Sequence, residues 1–283
     1  MTVLVPATLD EALAALAASP DALVLAGGTD AMIEVNGGHR RPGVVIAINR
    51  VAELRSWTYD PSTSLVRIGA GVTYTELMEP PLSVLLPALA QASRTVGSPQ
   101  IRHAGTLGGN VGTCSPAGDS LPVLSALNAV VHLANSSGER SLSIHDFMVG
   151  VKRTARLPDE LITGLTLPVL TGWQGYSKVG VRNAMVIALA SACVAVDTRG
   201  SSVRLALGSV GPTIIRCAEA ESFAGASVDF SSGRVSPTDV KQFGVLAAAA
   251  SRPIDDHRAT AAYRRHAVGV LASRLLRRAF PDE

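Results

Sequence analysis

The chain has 283 residues, 47% of them hydrophobic, with 25 basic against 23 acidic side chains. That length and apolar content suffice to bury one large core or two modest ones, and a formal net charge of +2 gives no electrostatic case for nucleic acid or an anionic membrane. No apolar run approaches the roughly 20 residues that span a bilayer, and the opening MTVLVPATLDEALAAL has neither a basic region nor a cleavage-site pattern, so a cytoplasmic protein with no membrane insertion is expected.

The first third alternates strand and helix. Thr8 and Glu11 form a T-x-x-E capping box that opens an amphipathic helix from Thr8 to Ala18. ALVLAGG reads as a short buried strand ending in a glycine turn, and GVVIAI and SLVRIGAG are further strands. Helices are predicted over Thr75 to Met78, Pro87 to Arg94 and Leu121 to Leu127, followed by a hairpin of AVVHLAN and RSLSI joined at Ser136 to Glu139. From about Gly172 the texture changes. QGYSKVG, ALASACVAVDT and VRLALGSV lie close together, as in an antiparallel sheet, before a mainly helical end from Ser236 onward. The basic cluster from YRRH to RLLRRAF has helical spacing and little aromatic interleaving, which fits a solvated or partner-facing helix. A boundary is expected near residue 170.

Metal chemistry finds little support in the side chains. The cysteines, Cys114, Cys193 and Cys217, are far apart and form no C-x-x-C pair, whereas structural zinc and a private iron–sulfur cluster each normally take four ligands. The histidines show no H-E-x-x-H spacing.

Two glycine-rich stretches carry the functional signal. VLAGGTDAMIEVNGG, Val24 to Gly38, places two glycines, a threonine and an aspartate after an apolar run, and GTLGGNVGTCSPAGD, Gly105 to Asp119, repeats the device. Adjacent glycines let the main chain turn and approach an anion so that successive N–H groups face it, as a nucleotide pyrophosphate requires. Thr29 and Thr106 can donate hydroxyls to phosphate, and Asn110 offers an amide. Asp30 and Asp119 cannot favourably meet phosphate, but each can accept from loop amides or from a ribose hydroxyl. A single Gly-Gly pair would be read as a tight turn; two with the same chemistry point to one ligand gripped twice.

The common nucleotide motifs are absent. There is no G-x-x-x-x-G-K-[ST], and GAGVTY at Gly69 to Tyr74 imitates the start of G-x-G-x-x-G but puts tyrosine where the final glycine belongs. No G-x-S-x-G elbow or catalytic triad is evident. Nucleotide-holding loops without an acid–base constellation suit a redox cofactor that supplies its own chemistry.

LAGGTDAM followed by IRHAGTLGGNVGTCSPAGDSLPVLSALNA resembles the FAD-binding medium subunit of molybdenum hydroxylases, the xanthine dehydrogenase and carbon monoxide dehydrogenase family. DELITGLTLP, YSKVGVRNAMVIALAS, RLALGSVGPTIIR and PIDDHRATAAYRRHAVGVLASRLL look like family landmarks in the expected order, so the resemblance covers nearly the whole chain. AGGTD is closer to the xanthine dehydrogenase-like branch than to the carbon monoxide dehydrogenase branch, where Gly-Gly-His-Ser is expected.

The resemblance implies an α+β fold: a two-part FAD-binding domain of the vanillyl-alcohol-oxidase (PCMH) type over residues 1–170, then a smaller C-terminal domain with an antiparallel sheet and helices over 171–283. It further implies that Ala26, Gly27, Gly28, Thr29 and Asp30 hold the FAD pyrophosphate, that Thr106, Leu107, Gly108, Gly109 and Asn110 complete the phosphate and ribityl site, and that Asp119 anchors a polar part of the cofactor. Ile162 and Lys178 match positions near the isoalloxazine, where Lys178 would place positive charge beside an anionic reduced flavin; an ordinary strand lysine is the alternative reading. His103 stands where the family often has Asn and Val186 where Asp is common, so neither is given a cofactor role. Tyr176 is expected near the flavin or in the core.

The activity implied is electron transfer. A large molybdenum-cofactor subunit would oxidise an N-heterocycle or aldehyde, a small 2Fe-2S subunit would relay electrons, and FAD here would pass them to NAD+ or another acceptor, in a dimer of heterotrimers. The alternatives are a self-sufficient flavin reductase akin to the enolpyruvyl-glucosamine reductase of cell-wall synthesis, and a flavin-free assembly scaffold.

Overall fold

The computed structural model describes residues 1–281. Its first layer is a three-stranded parallel sheet with Val44–Ala47 in the middle, Thr2–Leu4 on one side and Leu23–Leu25 on the other. The helix Leu9–Ala18 covers it, burying Ala12, Leu13 and Leu16 in one cluster with Ile46 and Ile48. Thr8 caps this helix by accepting from the Glu11 N–H at 3.2 Å, and the Glu11 carboxylate accepts from Ala7 N at 2.7 Å. The capping box read from the sequence therefore forms, with its return bond one residue earlier than the usual position.

The second layer is a five-stranded antiparallel sheet in the order Trp57–Asp60, Leu65–Gly69, Leu161–Pro168, Val130–Asn135, Gly138–Ser143. Its central strand lies within DELITGLTLP, which the sequence analysis marks only as a landmark. Val66, Ile68, Val131, Leu133, Leu165 and Leu167 point into one core with Leu89, Leu107, Val111, Leu121 and Leu124 from the helices packed on that face. Helices Tyr74–Met78, Pro87–Arg94 and Ser120–Ala126 fall where the sequence puts them, to within a residue or two.

The third layer is the antiparallel sheet Gln174–Val179, Ala190–Asp197, Ser202–Gly208 and Ile215–Arg216. Ala190–Asp197 is buried on both faces, which accounts for its unbroken apolar run. Ala192, Val194 and Val196 pack with the helices Pro237–Ala250 and Ala261–Ala279, while Cys193 and Ala195 join the core of the second layer. Arg216 ties the layers together: it chelates Glu221 at 2.7 and 2.8 Å and donates to Ser125 O at 2.9 Å and Asn128 Oδ1 at 2.5 Å. Among the described residues no helix is long and apolar enough to cross a membrane.

The helical end from Ser236 is present as Pro237–Ala250 and Ala261–Ala279, and two details depart from the sequence reading. Arg264, on the basic last helix, is not solvated: it is 5% exposed, donating to the carbonyls of Leu189 and Ser209 and pairing with Asp256 at 2.7 Å. A third C-terminal helix, Ala218–Ser227, precedes the helical end foreseen from Ser236.

Candidate cofactor cleft

A cleft of about 660 Å³ opens between the Leu23–Leu25 edge of the parallel sheet, the two glycine segments, the start of the central strand at Glu160–Ile162 and the loop Met185–Ile187. The first segment turns sharply out of its strand. Gly27 is required by close approach, because a Cβ there would lie 1.7 Å from the carbonyl oxygen of Ala104. Gly28 has φ +69°, a conformation side chains other than glycine rarely adopt. The two segments are thus in backbone contact and frame one space.

The second segment is not a loop. Leu107–Thr113 is an α-helix, N-capped by Thr106, whose hydroxyl accepts from Gly109 N at 3.0 Å. Two glycines near its start argue locally against a helix; tertiary contact overrides them. Leu107 N donates to Val72 O at 2.9 Å and Gly108 N to Ala70 O at 2.8 Å, clamping the first turn onto the end of the neighbouring strand. A Cβ on Gly108 would fall 2.5 Å from that of Ala70, so packing alone explains this glycine.

Gly109 has no such explanation. A Cβ there would meet only the Thr106 hydroxyl, at 3.0 Å, and otherwise project into open space. Protein packing leaves room for a side chain that the sequence omits, which is what a ligand pressed against the backbone demands. Asn110 follows, its Oδ1 taken by the Ser120 hydroxyl at 2.5 Å, so its amide NH₂ is left for the cleft.

Ala26, Gly27, Gly28, Thr29, Asp30, Thr106, Gly108, Gly109, Asn110, Asp119 and Ile162 all line the cleft. Leu107 and Lys178 do not. Leu107 is fully buried in the core beneath the helix. Lys178 sits behind the wall, donating to Asp119 Oδ2 at 2.8 Å, Thr95 O at 2.9 Å and Val186 O at 3.0 Å. Tyr176 is a core residue whose hydroxyl donates to Asp119 Oδ1 at 2.7 Å. Burial raises the Asp119 pKa, while Lys178 and Tyr176 pull it back down. His103 stands off the cleft wall, bonded to Thr75 at 3.0 Å, whereas Val186 lines it.

Several wall residues escape a reading by motif. Lys152, on a tight turn, pairs with Glu34 at 2.9 Å on the helix Ala31–Asn36. Arg156 donates to the carbonyls of Leu157, Pro158 and Glu160, and Glu160 is held by Arg140. Nothing local in VKRTARLPDE marks these side chains; the return of the chain into the central strand brings them to the cleft.

Residues 1–170 match the model of the FAD binding domain in molybdopterin dehydrogenase, and residues 176–279 that of the CO dehydrogenase flavoprotein C-terminal domain. The chain belongs to the FAD-binding subunits of the molybdenum hydroxylases. This flavoprotein subunit is 32% identical to the glyceraldehyde dehydrogenase medium chain of Sulfolobus acidocaldarius, over 93% of its own length and 92% of the relative's. It is 33% identical to the xanthine dehydrogenase FAD-binding subunit of Escherichia coli O157:H7, with 77% of each chain covered. Among solved structures, a chain of carbon monoxide dehydrogenase from Hydrogenophaga pseudoflava superimposes with a TM-score of 0.88 at 28% identity, over 99% of this chain and 96% of that one. The α+β architecture expected from the resemblance is the one found, and the subunit forms part of an oxidoreductase.

The cleft suits FAD by its own chemistry. It offers turned glycine backbone at Gly27–Gly28, an open approach at Gly109, hydroxyl and amide donors at Thr29, Thr106 and Asn110, and carboxylates at Asp30 and Asp119 for hydroxyl groups.

Proposed function

We propose that this subunit is the electron exit of a three-subunit molybdenum hydroxylase, taking electrons from 2Fe-2S clusters on a small partner and delivering them to NAD+ or another acceptor, while a large partner carries the molybdenum cofactor and oxidises the substrate. Two copies of the heterotrimer make up the assembly, and the protein works in the cytoplasm. Residues 1–170 form the FAD-binding domain and 171–283 the C-terminal domain. The relatives named as a medium chain and as an FAD-binding subunit support a division of labour among chains.

Bound FAD supplies the redox chemistry; the protein binds, orients and shields it. Ala26–Asp30, Thr106 and Gly108–Asn110 hold the phosphates and adjoining ribityl chain, and Ile162, 7% exposed, closes the cleft with an apolar surface. Leu107 supports the second segment from below, and Lys178 acts through Asp119 rather than on the flavin directly. The open approach at Gly109 is the observation that carries this reading.

Co-expression with large and small subunits of this enzyme class tests it. Heterocycle or aldehyde oxidation should reduce the flavin, and Gly109→Val should block transfer to the final acceptor while leaving molybdenum and cluster reduction intact. If the chain purifies alone and turns over NAD(P)H with a small substrate at ordinary enzymatic rates, the self-sufficient reductase takes its place.

A further inference from the structure

The stretch GAGVTY breaks off from a dinucleotide fingerprint at Tyr74, and the fold gives that tyrosine a place of its own. Tyr74 opens the short helix Tyr74–Met78, and its N–H donates to Gly105 O at 3.1 Å, beside the second glycine segment. Its ring lies against Gly105, where a Cβ would come within 2.9 Å of the ring edge. The residue is 4% exposed, yet it lines the cleft. Its phenol oxygen has no hydrogen-bond partner among the described residues and is not one of the side-chain oxygens sealed away from solvent. A buried ring in the cleft wall thus carries a phenol oxygen with no partner among the described residues.

Two carboxylates, Asp119 and Asp30, line the same cleft as Tyr74. Burial raises the Tyr74 pKa, and the charges of Asp119 and Asp30 raise it further, so the phenol keeps its proton and acts as a donor. Asp119 already accepts from Tyr176 and Lys178, leaving one lone pair on each oxygen, and Asp30 at the start of its helix makes no capping bond. A phosphate could accept from the phenol but would be repelled by both carboxylates. A hydroxyl group can accept from a phenol and donate to a carboxylate at once. Successive hydroxyls on one chain would satisfy all three side chains.

We propose that Tyr74 is a binding residue for the ribityl chain of the flavin nucleotide, reading its hydroxyls together with Asp119 and Asp30. The inference rests on the FAD reading and adds to it a contact that distinguishes the polyol from the phosphates. Tyr74→Phe keeps the ring and removes only the donor. In the full chain this variant should bind FAD roughly tenfold more weakly, as loss of one buried hydrogen bond implies. Riboflavin affinity should fall likewise, while ADP affinity and the melting temperature of the cofactor-free protein stay unchanged.

An FAD analogue with a deoxygenated ribityl chain gives a second reading on the unsubstituted protein. It should bind about tenfold more weakly than FAD to the wild type, and Tyr74→Phe should discriminate less between the two. Equal FAD affinity in wild type and Tyr74→Phe, or ADP weakened in step with FAD, overturns the role of Tyr74 and leaves the FAD reading standing. Failure of the wild type to take up FAD at all overturns both.

Discussion

Lys178 and Asp119 form an ion pair at the wall of the cleft, Asp119 lining it and Lys178 behind, with Nζ 2.8 Å from Oδ2 and the two side chains only 8% and 10% exposed. The same ammonium donates to Thr95 O and Val186 O, so one lysine links three elements around a carboxylate that faces the cleft. Removing one member of such a pair strands the other charge. Lys178→Met should therefore cost about 3–5 kcal/mol, read by denaturant unfolding of the cofactor-free protein. The double variant Lys178→Met, Asp119→Asn should recover part of that loss, since neither charge then remains. Equal stability of wild type and Lys178→Met would show that the pair makes no net contribution to folding.

The glycines of the cleft should separate by cause. Gly27→Ala drives a Cβ into the Ala104 carbonyl, so the two segments must part and folding suffers. Gly28→Ala places alanine at φ +69°, at a cost of about 1–2 kcal/mol. Gly109→Ala needs only a small shift of the Thr106 hydroxyl and should leave the cofactor-free protein within about 1 kcal/mol of wild type, because alanine favours the helix. FAD affinity should nevertheless fall sharply in Gly109→Ala. Thermal melts with and without FAD check both halves, and full retention of FAD by this variant would place the ligand away from that backbone.

These glycines also show what the sequence could and could not reveal. Composition and spacing located both segments, and Thr106 was visible as a polar residue beside them. Helicity at Leu107–Thr113 was not, because it depends on the clamp to Ala70 and Val72, which lie more than thirty residues earlier in the chain. Lys178 could be placed near the site by resemblance, but its three acceptors come from separate elements, so its turn away from the cleft has no local signature. Arg264 looked like one more arginine on a basic helix face until folding placed the Leu189 and Ser209 carbonyls around it. Amphipathic strands and capped helices were legible because their causes are local; Lys152, Arg156 and Glu160 were not, because only topology brings them to the cleft.

Acid should expose the part played by Glu160. The Arg140 guanidinium grips its carboxylate at 2.5 and 2.8 Å, Leu157 N adds a third bond at 2.7 Å, and these hold the Glu160 pKa below its usual 4.5 against an opposing effect of burial. A carboxylate with a lowered pKa in the folded state binds its proton more readily when unfolded. Its stabilising contribution is therefore complete above pH 4.5 and is lost as the pH falls through the folded-state value. Glu160→Gln removes the charge at every pH. Arg140 is 39% exposed, so water compensates part of the loss, and the variant should be less stable than wild type by about 1–2 kcal/mol at pH 7. That difference should shrink as acid protonates the wild-type carboxylate. Paired melting curves from pH 7 down to about 3 follow it across the carboxylate range, and a difference that stays constant or widens on acidification would mean that the Arg140 contact does not hold Glu160 in its ionised form.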